Sequence, residues 1–304
     1  MNSSLCKLLL ICVIILNSAA NAQQNNLKQN YLNEEPPGLK PKLFAKGIIS
    51  TEHYEHGNPA FSPYYDEIYW SIRINGQYGK EIINYIKMFD GKWSEVKTAP
   101  FSEIGKGDLY PTFSYNGKSI YFTSDRGTNG RIKAASRSIW KTDRKNETWS
   151  EAEIVGFDSL DIFGLSVSEN RNLYFMAQKN DVPNGYDLFY SKFVNGAYQK
   201  PEKLSAPLST GYYEDCPFIS RDEKFLIFES NRPGGAGSLD FYISYKLENG
   251  SWGEPKKIGV AVNSEFEERF PYISPDGKYF FFASNRNGNF DIYWVSASFL
   301  NLRN

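Results

Sequence analysis

Apolar and polar positions along this chain fall into short runs that recur. A segment reading Pro-x-aromatic-Ser, then a polar turn, then Ile/Leu-Tyr/Phe-Phe appears at 59–70, 111–122, 217–228 and 271–282. A degenerate copy at 165–175 has a turn one residue shorter. The anchors at 59, 111, 165, 217 and 271 stand 52, 54, 52 and 54 residues apart, room for one four-stranded antiparallel sheet per interval. The pattern predicts an all-β chain folded as a five-bladed β-propeller. A sixth blade would need a repeat that the sequence lacks.

Each blade can be read in order. The Pro-led segment is the first strand, and Asn116-Gly117, Asp222-Glu223 or Asp276-Gly277 turns it into an apolar second strand. A third strand carries an aromatic pair at Ile139-Trp140, Phe189-Tyr190, Phe241-Tyr242 and Ile292-Tyr293, with 82–89 serving the first blade. The fourth opens with a turn and an aromatic, namely Trp93, Trp149, Tyr198 or Trp252. The last blade has no fourth strand of its own, and the segment 40–51 mirrors 254–264. The N-terminal segment is therefore expected to complete the fifth blade, which removes free sheet edges.

The ends and the composition refine this. Lys7, the apolar run 8–16 and a small-residue stretch to Ala22 predict a cleaved signal peptide at 1–22, with Gln23 as the first mature residue. The apolar core is too short for ~30 Å of hydrocarbon. Residues 23–41 read as a mobile leader and 42–304 as a single propeller domain. Cys6 and Cys12 leave with the signal and neither sits where a lipid-modified cysteine would, so a soluble periplasmic or secreted product is expected. Cys216 alone remains, which rules out an intramolecular disulfide and reads as a small buried apolar residue. Core burial must then hold the fold, and 16% aromatic residues suit packing between blades. With a net charge of −1 and interleaved signs, nucleic acid is not an expected partner.

The repeats resemble the TolB-type repeat, also called the WD40-like or PD40 repeat, with its Pro-x-Phe/Trp-Ser-Pro-Asp-Gly-Lys, Ser-x-Arg and Ile-Tyr signatures. The stretch 271–293 matches closely, including Ser284-Asn285-Arg286 and Asp291-Ile292-Tyr293. Ser124-Asp125-Arg126, Ser230-Asn231-Arg232 and Asp240-Phe241-Tyr242 also match. The resemblance covers essentially the whole mature chain, and the run 230–240 looks like propellers of Gram-negative envelope proteins. It implies an exported, monomeric binding propeller with an envelope or periplasmic protein as partner. It is weak for function, because propellers host many. No peptidoglycan-binding domain and no α/β domain of the TolB kind is read here.

Candidate chemistry lies just upstream of each anchor: Glu55-His56, Asp108, Asp161, Glu214-Asp215 and Glu267-Glu268. One reading makes His56, Asp108, Asp161, Glu214 and Glu268 a ring around a channel mouth, where crowded carboxylates would take up protons or Ca²⁺. The other has each acid cap its loop or pair with Arg126, Arg232 or Arg286 of a Ser-x-Arg motif. His53 and His56 lack zinc-site spacing and read as solvated loop residues. No nucleophile elbow, phosphate-binding loop or EF-hand occurs, so no catalytic residue and no required cofactor is assigned. The tryptophans at 70, 93, 140, 149, 252 and 294 recur at equivalent blade positions, as packing residues do. Tyr212 and Tyr213, with Tyr54, are better placed in loops to touch a protein or a glycan.

Because every polar feature recurs from blade to blade, whereas a transition state is not five-fold symmetric, the leading expectation is a non-catalytic binding or scaffolding propeller. The alternative is a glycoside hydrolase-like enzyme using two of Asp108, Asp161, Glu214 and Glu268, ~5 Å apart for retention or ~6.5–9.5 Å for inversion. A pectin-degrading lyase would need more histidines than two.

Overall fold

A computed structural model describes residues 29–127, 137–157, 160–179, 186–259 and 261–301. The sequence expected to form a signal peptide lies outside them. Five antiparallel sheets follow one another around an axis. The first comprises Tyr54–Glu55 and Ala60–Phe61, then Glu67–Arg73, Glu81–Phe89 and Lys97–Thr98. The second is Leu109–Phe113, Ser119–Ser124, Ser138–Lys145 and Glu153–Gly156, and the third Leu160–Val167, Leu173–Lys179, Asp187–Ser191 and Glu202–Lys203. Glu214–Ile219, Phe225–Ser230, Asp240–Tyr245 and Lys256–Lys257 form the fourth. The fifth takes Glu268–Ile273, Tyr279–Ser284 and Asp291–Ser296 from the C-terminal end and Lys42–Leu43 from the N-terminal end. Lys42 pairs with Trp294 and Leu43 with Tyr293, so the ring closes as the sequence predicts.

The serine of each repeat has a structural task. Its hydroxyl accepts the N–H that opens the second strand: Ser114 from Ser119 at 2.9 Å, Ser168 from Asn172 at 3.1 Å, Ser220 from Phe225 and Ser274 from Tyr279, both at 3.0 Å. The hairpin is thereby fixed in register.

Two expectations change. Residues 29–41 do not form a mobile leader. Tyr31 is fully buried between the first and last blades, edge-on to Phe61 and Tyr279, and its hydroxyl donates to Asp276 at 2.9 Å. Gln29 accepts from Trp93 Nε1 at 3.0 Å. An aromatic ring in a polar stretch finds an apolar slot, which polar composition alone does not reveal. Second, the turn aromatics do not start the fourth strands. Trp93, Trp149 and Tyr198 extend the third strand as a small outer hairpin, opposite Met88, Arg144 and Phe193, and the true fourth strand follows. Those outer strands are short, several only two residues of exposed or charged character, which limits edge-to-edge pairing.

The innermost strands bulge at equivalent places, with register shifts at Leu109/Thr112, Phe163/Leu165, Asp215/Phe218 and Arg269/Tyr272. Tyr110, Cys216 and Phe270 adopt left-handed backbone there, at φ 55, 41 and 59°, and Gly164 takes φ 33°. Such conformations strain residues carrying a Cβ, and the closing ring holds them.

Candidate functional site

Strand direction puts the blade-to-blade loops and the loops between second and third strands at one end of the channel. The hairpin turns lie at the other. The acids upstream of the anchors sit at the loop end, but most face into their own blade. Asp108 is fully buried. It accepts Arg126 Nε at 3.1 Å and Nη2 at 2.7 Å, Ser102 Oγ at 2.9 Å and Glu103 N at 2.7 Å. Glu214 accepts from the Thr210 hydroxyl, Thr210 N at 3.1 Å and Arg232 Nη2 at 3.3 Å. Glu268 accepts from Ser264 Oγ at 2.6 Å, Ser264 N at 2.9 Å and Arg286 Nη2 at 3.0 Å. These three acids are loop staples paired with the arginine of Ser-x-Arg, the second of the two sequence readings. Glu55 makes the same bonds to Thr51 at 3.1 and 2.8 Å without an arginine, and burial pushes its carboxyl up to about 8.

Of the expected ring, His56 and Asp161 stand apart from this staple. Asp161 is half-buried, accepts the Arg137 N–H at 2.8 Å, and is raised by burial. His56 is not a solvated loop residue. Its Nδ1 lies 2.7 Å from Arg73 Nη2 and its Nε2 3.1 Å from Tyr110 Oη. Arg73 can only donate, so Nδ1 accepts and Nε2 carries the proton. Burial, helped by the Arg73 charge, pushes the imidazole down to about 4. His53 is half-buried, and among the described residues no group of three or more His, Cys, Asp or Glu is placed to hold a metal.

Sequence reasoning missed the buried charges beside these residues. Arg269 donates Nε to Glu229 at 3.1 Å and Nη2 to Asp215 at 3.3 Å. Glu229 also accepts Phe270 N at 2.5 Å, and burial raises both carboxyls against the opposing pull of Arg269. Arg73 pairs with Glu81 at 3.2 Å. The signal for Glu229 was available: it occupies the repeat position held by Ser71, Thr123, Met176 and Ala283 in the other blades.

Below this charged mouth the channel is blocked. His56, Tyr110 and Phe270 form a triangle with ring separations of 5.6, 5.4 and 5.5 Å. Beside it, a Cβ on Gly164 would stand 2.9 Å from Cys216 Cα, so only glycine fits. Burial holds the Cys216 thiol well above its usual range, which keeps it protonated.

Beyond the block, a cavity of about 420 Å³ opens toward the hairpin turns. Tyr110, Gly164, Cys216 and Phe270 line its inner end, and Tyr115, Glu169, Arg221 and Asp222 its rim. At the loop end, large apolar side chains are exposed on several blade-to-blade connections, among them Ile104, Tyr212 with Tyr213, and Phe266, joined by Tyr78 of the first blade. Tyr54 is half-buried, with Arg73 stacked 4.4 Å from its ring. None of the six tryptophans is exposed, as packing residues should be.

No protein-family model matches the chain, and no curated protein matches it. Solved structures do. TolB from Acinetobacter baumannii is 17% identical with a TM-score of 0.54, covering 82% of this chain and 53% of that one. An endo-arabinase from Bacteroides thetaiotaomicron is 14% identical with a TM-score of 0.53, over 82% and 96%. A TolB from Agrobacterium tumefaciens is 17% identical at 0.51, over 77% and 71%. At such identities the likeness speaks for the propeller fold, which these proteins put to different uses.

Proposed function

We propose that this chain is a non-catalytic protein-binding propeller of the TolB-like, WD40-like repeat type, exported to the bacterial envelope and monomeric, with its loop end as the docking face. The observation that carries the reading is the set of exposed apolar side chains there, Ile104 at 82%, Tyr78 at 78%, Tyr213 at 50% and Tyr212 at 47%, around a charged centre. Apolar anchors around desolvated ion pairs are what protein interfaces use. Of the four acids that the glycosidase alternative draws on, Asp108, Glu214 and Glu268 are engaged by arginines within their blades, which leaves Asp161 without a free second carboxylate from that set and weakens the alternative. Ca²⁺ loses its support at the same carboxylates.

The test is cross-linking and affinity capture of residues 23–304 from the envelope of the native host, quantified against an unrelated propeller. One or two stoichiometric proteins, lost from the Tyr212→Ala/Tyr213→Ala variant, would support the reading. Capture unchanged by that variant would move the docking face elsewhere, and no enriched protein would reject a protein partner.

A further inference from the structure

The cavity at the hairpin-turn end is where the five-fold repeat breaks most sharply. At the second residue of the Pro-x-aromatic-Ser segment the blades carry Ala60, Thr112, Ser166, Phe218 and Tyr272. The last four line the cavity, with Phe61 and Asn58 from the first blade. Tyr272 lies edge-on to Phe218 at 5.8 Å and stacks with Phe61 at 6.2 Å, so the fourth, fifth and first blades build a continuous aromatic wall. The second and third blades face it with small hydroxyl side chains.

Those polar groups have capacity to spare. Ser166 Oγ accepts the Ile219 N–H at 3.0 Å and keeps its own proton to give. Thr112 and the Asn58 amide make no side-chain hydrogen bond among the described residues, and both are only half-buried. An apolar occupant would strand these groups without water. The cavity carries no net charge: its lining ions pair off, Arg221 with Glu169 and Lys224 with Asp222 at 2.9 Å. A charged occupant would gain no counter-ion. The volume of about 420 Å³ falls in the ~300–1,000 Å³ range of small-molecule sites.

We propose that this blind cavity binds a neutral saccharide of one or two rings, its C–H face against Phe218 and Tyr272 and its hydroxyls toward Thr112, Ser166 and Asn58. An amphipathic ring with hydroxyls at its edge matches a cavity that is aromatic on one side and hydroxylic on the other. The site is at the end opposite the docking face and does not depend on a protein partner.

The experiment titrates the mature propeller with arabinose, glucose, N-acetylglucosamine and their disaccharides, alongside glucuronate and decanoate, by calorimetry and amide NMR. The expected result is saturable binding of at least one neutral sugar, with shifts at Thr112, Ser166 and Tyr272. Thr112→Val should weaken it about tenfold at unchanged melting temperature. If that variant unfolds, Asn58→Ala serves in its place. The Tyr212→Ala/Tyr213→Ala protein should bind sugar normally, which separates this site from the docking face. Failure of every neutral sugar, tighter binding of decanoate, or undiminished affinity in the folded variant would overturn the proposal.

Discussion

Arg126 clamps Asp108 from two directions, Nε to Oδ1 and Nη2 to Oδ2, while Nη2 also donates to Phe101 O at 2.5 Å. The carboxylate is fully buried and the arginine nearly so. Arg126→Ala would leave an unpaired buried charge and should cost ~3–5 kcal/mol in urea unfolding. Arg126→Lys should recover little, because an ammonium cannot grip both oxygens and the carbonyl together. A loss below ~1 kcal/mol would mean the pair is solvated, as surface pairs are.

How far the molecule is legible in its sequence follows from which residues repeat. The Pro-x-aromatic-Ser segment repeats because every blade needs the same hairpin and the same contact with its neighbour, so blade number and ring closure can be read directly. The staple acids repeat for the same reason, and their periodicity invites the mistaken idea of a ring facing the channel. Glu229, Arg269 and Glu81 occur once each. Glu229 shows in the sequence only as an acid at a repeat position held elsewhere by Ser71, Thr123, Met176 and Ala283, and its pairing with Arg269, 40 residues away in the next blade, emerges only on folding. Tyr31 is hidden for a similar reason, since its contacts lie mostly in the C-terminal blade.

Tyr31 makes a sharp test of where the domain begins. Its ring is buried among Phe61, Tyr279 and Trp294, and its hydroxyl reaches Asp276. Tyr31→Ala should therefore cost ~3–5 kcal/mol, as truncation of a large buried aromatic does. Tyr31→Phe should cost only ~0.5–1.5 kcal/mol, the net worth of one hydrogen bond, because Asp276 is exposed and keeps its bonds from Ser274 Oγ and Lys278 N. In thermal melts, an effect of Tyr31→Ala within ~0.5 kcal/mol would place the residue in a solvated tail.

His56 should give the acid limb of stability a definite sign. In the unfolded chain it takes up a proton near ~6.5, whereas the folded imidazole does so only at about 4. Between these values the unfolded state binds more protons, so stability falls as pH falls, by at most ~1.4 kcal/mol per unit. Above ~6.5 the contribution is complete. Glu55 and Glu229 act in the opposite direction, because their raised carboxyls favour the folded state as they protonate. The difference between wild type and His56→Gln, measured from pH 7 to 4, isolates the histidine. Expected is a shallower acid loss in the variant, and parallel curves would mean that His56 titrates alike in both states. Nitrogen-15 NMR at neutral pH should show Nε2 protonated and Nδ1 bare.

Gly164 sits where two constraints meet. Its φ of 33° lies in the left-handed region, and a methyl group would stand 2.9 Å from Cys216 Cα and 3.0 Å from its sulfur. The sulfur can rotate away but the backbone carbon cannot, because Cys216 is itself left-handed at φ 41° and held in the fourth blade. Gly164→Ala should thus strain the third and fourth blades together and lower stability by ~1–3 kcal/mol. Cys216→Ala in the same background removes only the sulfur contact and should return a minor part of that loss. Rescue to wild-type stability by Cys216→Ala would show that the clash is with the side chain, and that the innermost strands can slide past each other at the channel block.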